Sequence, residues 1–121
     1  MKNLITAIGL MSGTSSDGID ASVIKSDGED QVYFIGDYFF PYEERTKLKI
    51  RKLKEKMNTI LDLEINVVEI ANLEKEITLL HAQTTNLLIE KLKLDKSEIN
   101  LIGSHGHTIF HSFRDKKTKQ I

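Results

Sequence analysis

Residues 8–22, Ile-Gly-Leu-Met-Ser-Gly-Thr-Ser-Ser-Asp-Gly-Ile-Asp-Ala-Ser, close one apolar run and open another. Residues 4–11 (LITAIGLM) are continuously apolar over the length of a buried strand. Residues 19–25 (IDASVIK) alternate Ile19, Ala21 and Val23 against Asp20 and Ser22, the period of a strand with one buried face. The segment between them, Ser12 to Gly18, is much longer than the two-residue connection a plain hairpin prefers. Its composition suits an anion. Gly13 and Gly18 let backbone N–H groups approach, the hydroxyls of Thr14, Ser15 and Ser16 can donate to phosphate oxygens, and Asp17 or Asp20 could hold a magnesium ion through water. Carboxylates beside phosphates repel them unless a divalent cation lies between, so the ligand this composition fits is a magnesium nucleotide. The segment is neither a Walker A loop, for its lysine is missing, nor GxGxxG, for Gly13 and Gly18 are five apart and no helix follows. Composition alone fits a ligand-free, solvent-exposed loop equally well.

Outward from this segment, Asp27-Gly28 signals a tight turn, and residues 31–40 (QVYFIGDYFF) form a third aromatic and β-branched strand that Pro41 stops. Three consecutive strands predict a meander. From 43 to about 61 the pattern becomes helical, with Leu48, Leu53, Met57 and Ile60 or Leu61 on one side and a dense set of Lys and Arg on the other. Asn66 and Glu69 have capping-box spacing, and Ile70, Leu73, Ile77, Leu80, Thr84 and Leu87 mark a long helix to about 93. A fourth strand is expected at 100–104, within NLIGSHGHTIFHSF. Strands, then helices, then a strand predict an α/β or α+β layer.

Composition narrows the class. The 121 residues carry 17 basic and 18 acidic side chains, 40% apolar residues, one proline and no cysteine. Such a chain buries about 65% of the surface its unfolded form exposes, enough for one core and not for two full domains. Without cysteine there is no disulfide framework, thiolate zinc site or cysteine nucleophile, and the cytoplasm is the expected compartment. No run of 18 apolar residues occurs, so no membrane-spanning helix is expected. The charge is uneven: residues 1–44 hold two basic and eight acidic side chains, leaving fifteen basic and ten acidic ones beyond.

The order of residues adds what composition leaves open. IGLMSGTSSDGIDAS resembles the amino-terminal signature of the anhydro-N-acetylmuramic acid kinases, Gly-x-Met-Ser-Gly-Thr-Ser-x-Asp-Gly-x-Asp. Residues 102–109, Ile-Gly-Ser-His-Gly-His-Thr-Ile, resemble the family's Gly-Ser-His-Gly-Gln-Thr segment, and Thr118-Lys119-Gln120-Ile121 is similar to the start of its Thr-Leu-Gln-Ile-Gly strand.

The resemblance implies a ribonuclease-H-like α/β fold, that of the sugar kinase, actin and chaperone ATPase superfamily, with residues 1–121 as the incomplete amino-terminal part of a two-domain kinase and the second domain absent. It implies ATP-dependent conversion of 1,6-anhydro-N-acetylmuramate to N-acetylmuramate 6-phosphate in peptidoglycan recycling, with ATP and Mg2+ as cofactors. By matching position, Gly13, Thr14, Ser15, Ser16, Asp17, Gly18, Ile19 and Asp20 form the ATP phosphate loop, Asp17 and Asp20 serve the metal, and Ser104, His105 and Thr108 lie near the sugar. The family's catalytic Asp belongs to a downstream motif, so no catalytic residue is assigned here, and the polypeptide is expected to be inactive alone, as a truncated or split product completed at most by a separately encoded half. His107 stands where the family has Gln. An imidazole that charges near pH 6.5 would put that contact, and sugar binding with it, in doubt.

Other readings compete. His105, His107 and His111 could seat zinc if their strand were unbroken. The basic run at 45–56 could bind nucleic acid or anionic lipid, although it suits the wet side of a docked helix, so neither nucleic acid nor membrane is expected as a partner. The seam through Ile70, Leu73, Ile77, Leu80 and Leu87 could dimerise as a coiled coil, giving a homodimer or a non-catalytic interaction module instead of a kinase.

Overall fold

Strand β1 (Ile5–Ser12) alternates: Thr6, Ile8, Leu10 and Ser12 are buried, while Ile5, Gly9 and Met11 face the other way. The computed structural model describes residues 3–13, 15–112 and 117–121. β1 pairs antiparallel with β2 (Gly18–Ser26), which pairs antiparallel with β3 (Val32–Pro41). The predicted meander is thus present. Helices α1 (Glu44–Lys56), α2 (Leu61–Ile65) and α3 (Val67–Lys91) follow, then a short 3-10 turn at Lys96–Glu98 and β4 (Ile99–Ser104). β4 lies parallel to β1 and completes a sheet of order β3-β2-β1-β4. The Asn100 side chain accepts the Thr6 N–H at 2.8 Å, where the β1–β4 register shifts between Thr6 and Ala7. A second pair, β5 (Thr108–Ser112) and β6 (Lys117–Gln120), runs antiparallel. Mixed α/β architecture is therefore established.

One face of the sheet carries the core. Ile8 and Leu10 of β1 and Ile19, Ala21 and Val23 of β2 pack with Ile50 and Leu53 of α1 and Ile70, Leu73, Ile77 and Leu88 of α3. Each Ile, Leu or Val side chain among them, fully buried, stabilises the fold by about 1.5–3 kcal/mol. Ile109 and Phe110 bring β5 into the same cluster. On the opposite face Met11 and Phe39 are exposed in the row that the pairing of Met11 with Asp20 and Asp20 with Phe39 defines, and Leu101 is exposed further along, paired with Ala7.

Two helical expectations need correction. The single helix from 43 to 61 is two, because Asp62 accepts the N–H groups of Asn58 (2.9 Å) and Thr59 (2.8 Å) and turns the chain between α1 and α2. The buried stripe is Thr46, Ile50 and Leu53 of α1 and Met57 just past its end, at four-, three- and four-residue steps, while Leu48 of α1, Ile60 between the helices and Leu61 of α2 are exposed. The Asn66–Glu69 capping box does not form: Asn66 makes no side-chain cap and instead donates its amide to the Asp62 carbonyl at 2.9 Å.

The α3 stripe faces this chain's own sheet, which leaves Ile70, Leu73 and Ile77 unavailable to a coiled-coil partner. Three of its buried polar side chains bond the helix backbone: His81 Nδ1–H donates to the Ile77 carbonyl (2.8 Å), Thr84 to Leu80 (2.7 Å) and Thr85 to His81 (2.9 Å), while His81 Nε2 is buried with no partner. At its far end Lys91 donates to the Asp37 carbonyl at 2.7 Å, and Leu92 fills the space that a side chain on Gly36 would need. The basic face of α1 is wet, with Lys49–Glu76 (3.0 Å) and Lys56–Glu69 (2.7 Å) bridging to α3. No helix of the described residues is long and apolar enough to cross a membrane.

Candidate functional site

Parallel pairing of β1 and β4 carries their carboxyl ends to the same edge of the sheet, and with them the two polar segments singled out in the sequence. The segments are bonded to each other. His105 donates its backbone N–H to the Leu10 carbonyl at 3.0 Å, and Ser12 donates its own to the Gly106 carbonyl at 3.3 Å. Gly106, at φ 74°, breaks the chain between β4 and β5, so His105, His107 and His111 do not share one strand. Among the described residues no group of three or more His, Asp or Glu side chains could hold a metal ion.

The loop's groups divide between outward and inward. Ser15 and Asp17 are exposed and Gly13 is half-buried, while Thr14 lies outside the described residues. Ser16 is buried in the left-handed region at φ 60°, and its N–H is taken by the Gly13 carbonyl at 3.0 Å. Gly18 opens β2 with the backbone of Phe40 and Pro41 against it, so it meets protein where the sequence suggested a ligand. Ile19 is wholly within the core and its side chain cannot reach one. Asp20 is exposed on the open face of the sheet.

Beside Asp20 lies a shallow hollow of about 470 Å3, edged by Ser22, Ser104 and His105. Its floor is backbone: Gly9 and Gly103 pair across β1 and β4, and no heavy atom lies within 4 Å of a β-carbon built on either. A ligand lying on these strands meets the Asp20 carboxylate and Ser22 on the open face, whereas Ser104, paired with Leu10, shares by register the face that carries the core. Asp20 and Ser22 are oxygen donors of the kind a hydrated cation or a hydroxyl-bearing ligand needs, and Leu10 and Met11 complete the lining. Thr108 sits apart at the start of β5, half-buried, its hydroxyl 3.4 Å from the Gln120 amide, which also lies 2.9 Å from His105 Nε2. Ser104 and His105 also border a cleft of about 610 Å3 beneath α3, shared with His81, Thr85 and Gln120. A groove of about 620 Å3 between α1 and α3 shares no residue with either segment.

His107 corrects the sequence expectation most directly. Its side chain is fully buried, with Nδ1 2.7 Å from Ser12 Oγ, so it contacts protein and no ligand. Burial first, and then the neighbouring charges of Lys54 and His81, push its pKa down to about 4, well below the value near 6.5 at which it was expected to charge. Tyr42 was missed altogether. Its hydroxyl lies 2.7 Å from the same Ser12 Oγ, and burial raises its pKa although the Ser12 bond opposes that. Nothing in the sequence around Pro41 marks this tyrosine, because its partners are 30 and 25 positions away.

Fold and site together define an α/β domain with a polar strand-to-strand loop at the carboxyl end of its sheet. The family model for anhydro-N-acetylmuramic acid kinase matches residues 5–121, and the chain belongs to that family. Curated relatives of that name include one from Pelagibacter ubique, 42% identical over 121 residues, and one from Agrobacterium fabrum, 34% identical over 121 residues; each match covers 100% of this chain and 32% of the relative. A Rhizobium etli relative is 34% identical over 119 residues, covering 96% of this chain and 31% of its own length. The chain thus spans about a third of the length of the curated relatives it matches.

Proposed function

We propose that these residues form the amino-terminal part of a two-domain, ribonuclease-H-like sugar kinase that phosphorylates 1,6-anhydro-N-acetylmuramate at the expense of ATP in the cytoplasm. The reaction hydrolyses the anhydro ring and transfers the γ-phosphoryl group to give N-acetylmuramate 6-phosphate. The outward groups of the loop, at Gly13, Ser15 and Asp17, face the nucleotide's phosphates, with Asp20 holding Mg2+ through water. Ser104, His105 and Thr108 stand on the sugar's side. The chain's own part is to bind and orient, since phosphoryl transfer is governed by positioning and charge neutralisation. The family's catalytic Asp motif does not occur in these residues, so they are proposed to bind without turning over alone.

One observation carries the reading. Two motifs that resemble the family's, more than eighty residues apart in sequence, are hydrogen-bonded side by side at the ends of parallel strands, as a shared phosphate and sugar site needs. The test is calorimetric titration of the 121-residue chain with ATP, with and without Mg2+, and then with the anhydro-sugar, mass spectrometry following the product. Weak, saturable, Mg2+-dependent binding without product is expected. No binding of either ligand at millimolar concentration would overturn the assignment of the loop; product formation would overturn the proposed dependence on residues elsewhere.

A further inference from the structure

The loop leaves the sheet at Ser12 and rejoins it at Gly18, and one residue holds both ends. Tyr42, just beyond β3, donates its backbone N–H to the Asp17 carbonyl at 2.9 Å and places its hydroxyl 2.7 Å from Ser12 Oγ. His107 reaches the same Oγ from the other side at 2.7 Å. All three side chains are buried. The His107 backbone is fixed on both sides by Ile121, donating to its carbonyl at 2.7 Å and accepting its N–H at 2.8 Å, so the imidazole is held in place.

Hydrogen-bond accounting fixes the proton. His107 Nε2 is buried with no partner, and a buried N–H without an acceptor is the costlier of the two alternatives, so the proton sits on Nδ1 and is donated to Ser12. The groups that face this imidazole from the packed elements are Lys54 of α1 and His81 of α3, and both oppose a second proton. Core packing alone has no need for this arrangement: apolar side chains of the same volume at 12, 42 and 107 would fill the space without desolvating three polar groups. A buried, satisfied polar chain specifies one geometry, and here that geometry belongs to the loop.

We propose that Tyr42 and His107 are positioning residues for the Gly13–Asp20 loop, holding its entry through Ser12 and its exit through Asp17 so that the outward groups at Gly13, Ser15 and Asp17 keep one arrangement before any ligand arrives. Its consequence for nucleotide binding rests on the function proposed above. The role of His107 needs only one donated N–H, which a glutamine amide could supply.

Amide hydrogen exchange on the full 121-residue chain tests this. Tyr42→Phe and His107→Leu should each speed exchange at the Ser12, Ser16 and Tyr42 amides about tenfold, while helix amides at Ile50 and Leu88 stay within about twofold. His107→Gln should leave all of them within about twofold of the parent. Unchanged loop amides in Tyr42→Phe, equal acceleration of loop and core, or a His107→Gln chain as fast as His107→Leu would each overturn the proposal. If His107→Leu does not fold, Tyr42→Phe, which removes a single hydroxyl, decides alone. A parallel MgATP titration separates the two readings: a parent chain that binds no MgATP sinks the phosphate-loop assignment, whereas the exchange result still decides the clamp.

Discussion

Gly18 lies so close to Phe40 that a β-carbon on it would stand 2.2 Å from the Phe40 carbonyl oxygen and 2.9 Å from Pro41 Cα. Both obstacles are backbone, and neither can swing away. Gly18→Ala is expected to destabilise the chain by about 1–3 kcal/mol, the ordinary cost of overpacking. Thermal melting with and without MgATP checks it: the loss should be of the same size in both. A loss confined to nucleotide affinity would return this glycine to a ligand-contact role.

Stability should fall on mild acidification because of His107. Its folded pKa, about 4, is below the ordinary 6.5, so between these values the unfolded chain takes up a proton that the folded chain refuses. The loss is absent above about pH 6.5 and complete near pH 4. Urea midpoints at pH 7, 5.5 and 4.5 measure it, and His107→Gln should flatten that slope. Asp27, Asp62 and Asp95 have lowered pKa values from hydrogen bonds to the Glu29 N–H, the Asn58 N–H and the Ser97 hydroxyl respectively. Their contribution is held above the ordinary carboxylate value of 3.8 and disappears only below it, so the two windows separate.

The two faces of α1 should respond differently to truncation. Leu53 is fully buried and Lys52 beside it is exposed. Leu53→Ala should cost about 2–5 kcal/mol and Lys52→Ala less than about 0.5 kcal/mol, read from chemical denaturation. Comparable effects would mean that the basic face meets something other than water.

Asp20 offers a test of the metal. Asp20→Asn keeps the shape of the side chain and removes its charge, so Mg2+-dependent ATP affinity should drop about tenfold, as loss of an outer-sphere ligand does. Metal-free ADP binding should hold or improve, because a charge that repels phosphate is gone. Equal losses with and without Mg2+ would assign Asp20 to the nucleotide itself.

Local patterns made much of the fold readable in advance. β-branched and aromatic runs placed β1, β2 and β3 within a residue or two, and a three- and four-step stripe placed α3. Competition between local signals was harder to read. Asn66 had a capping pattern, yet Asp62 already held the turn and drew the Asn66 amide to its own carbonyl. The resemblance at 118–121 anticipates the strand that is β6, but β5 escaped notice because it begins only two residues after the Gly106 break and takes its register from β6. At the site, residue order identified the segments but not which way their groups point. Ser16 and Ile19 turn inward, and the inward role of His107 depends on Ser12, 95 positions away. Such long-range pairings leave no trace in a local window.

The bare side of the sheet has a practical consequence. Met11, Phe39 and Leu101 lie on a flat surface, and β3 ends the sheet with Asp37 as its one charged residue. Exposed apolar side chains beside an edge strand with a single charge are adhesive, and dilute solutions with added arginine will keep this polypeptide dispersed where concentrated ones let it clump.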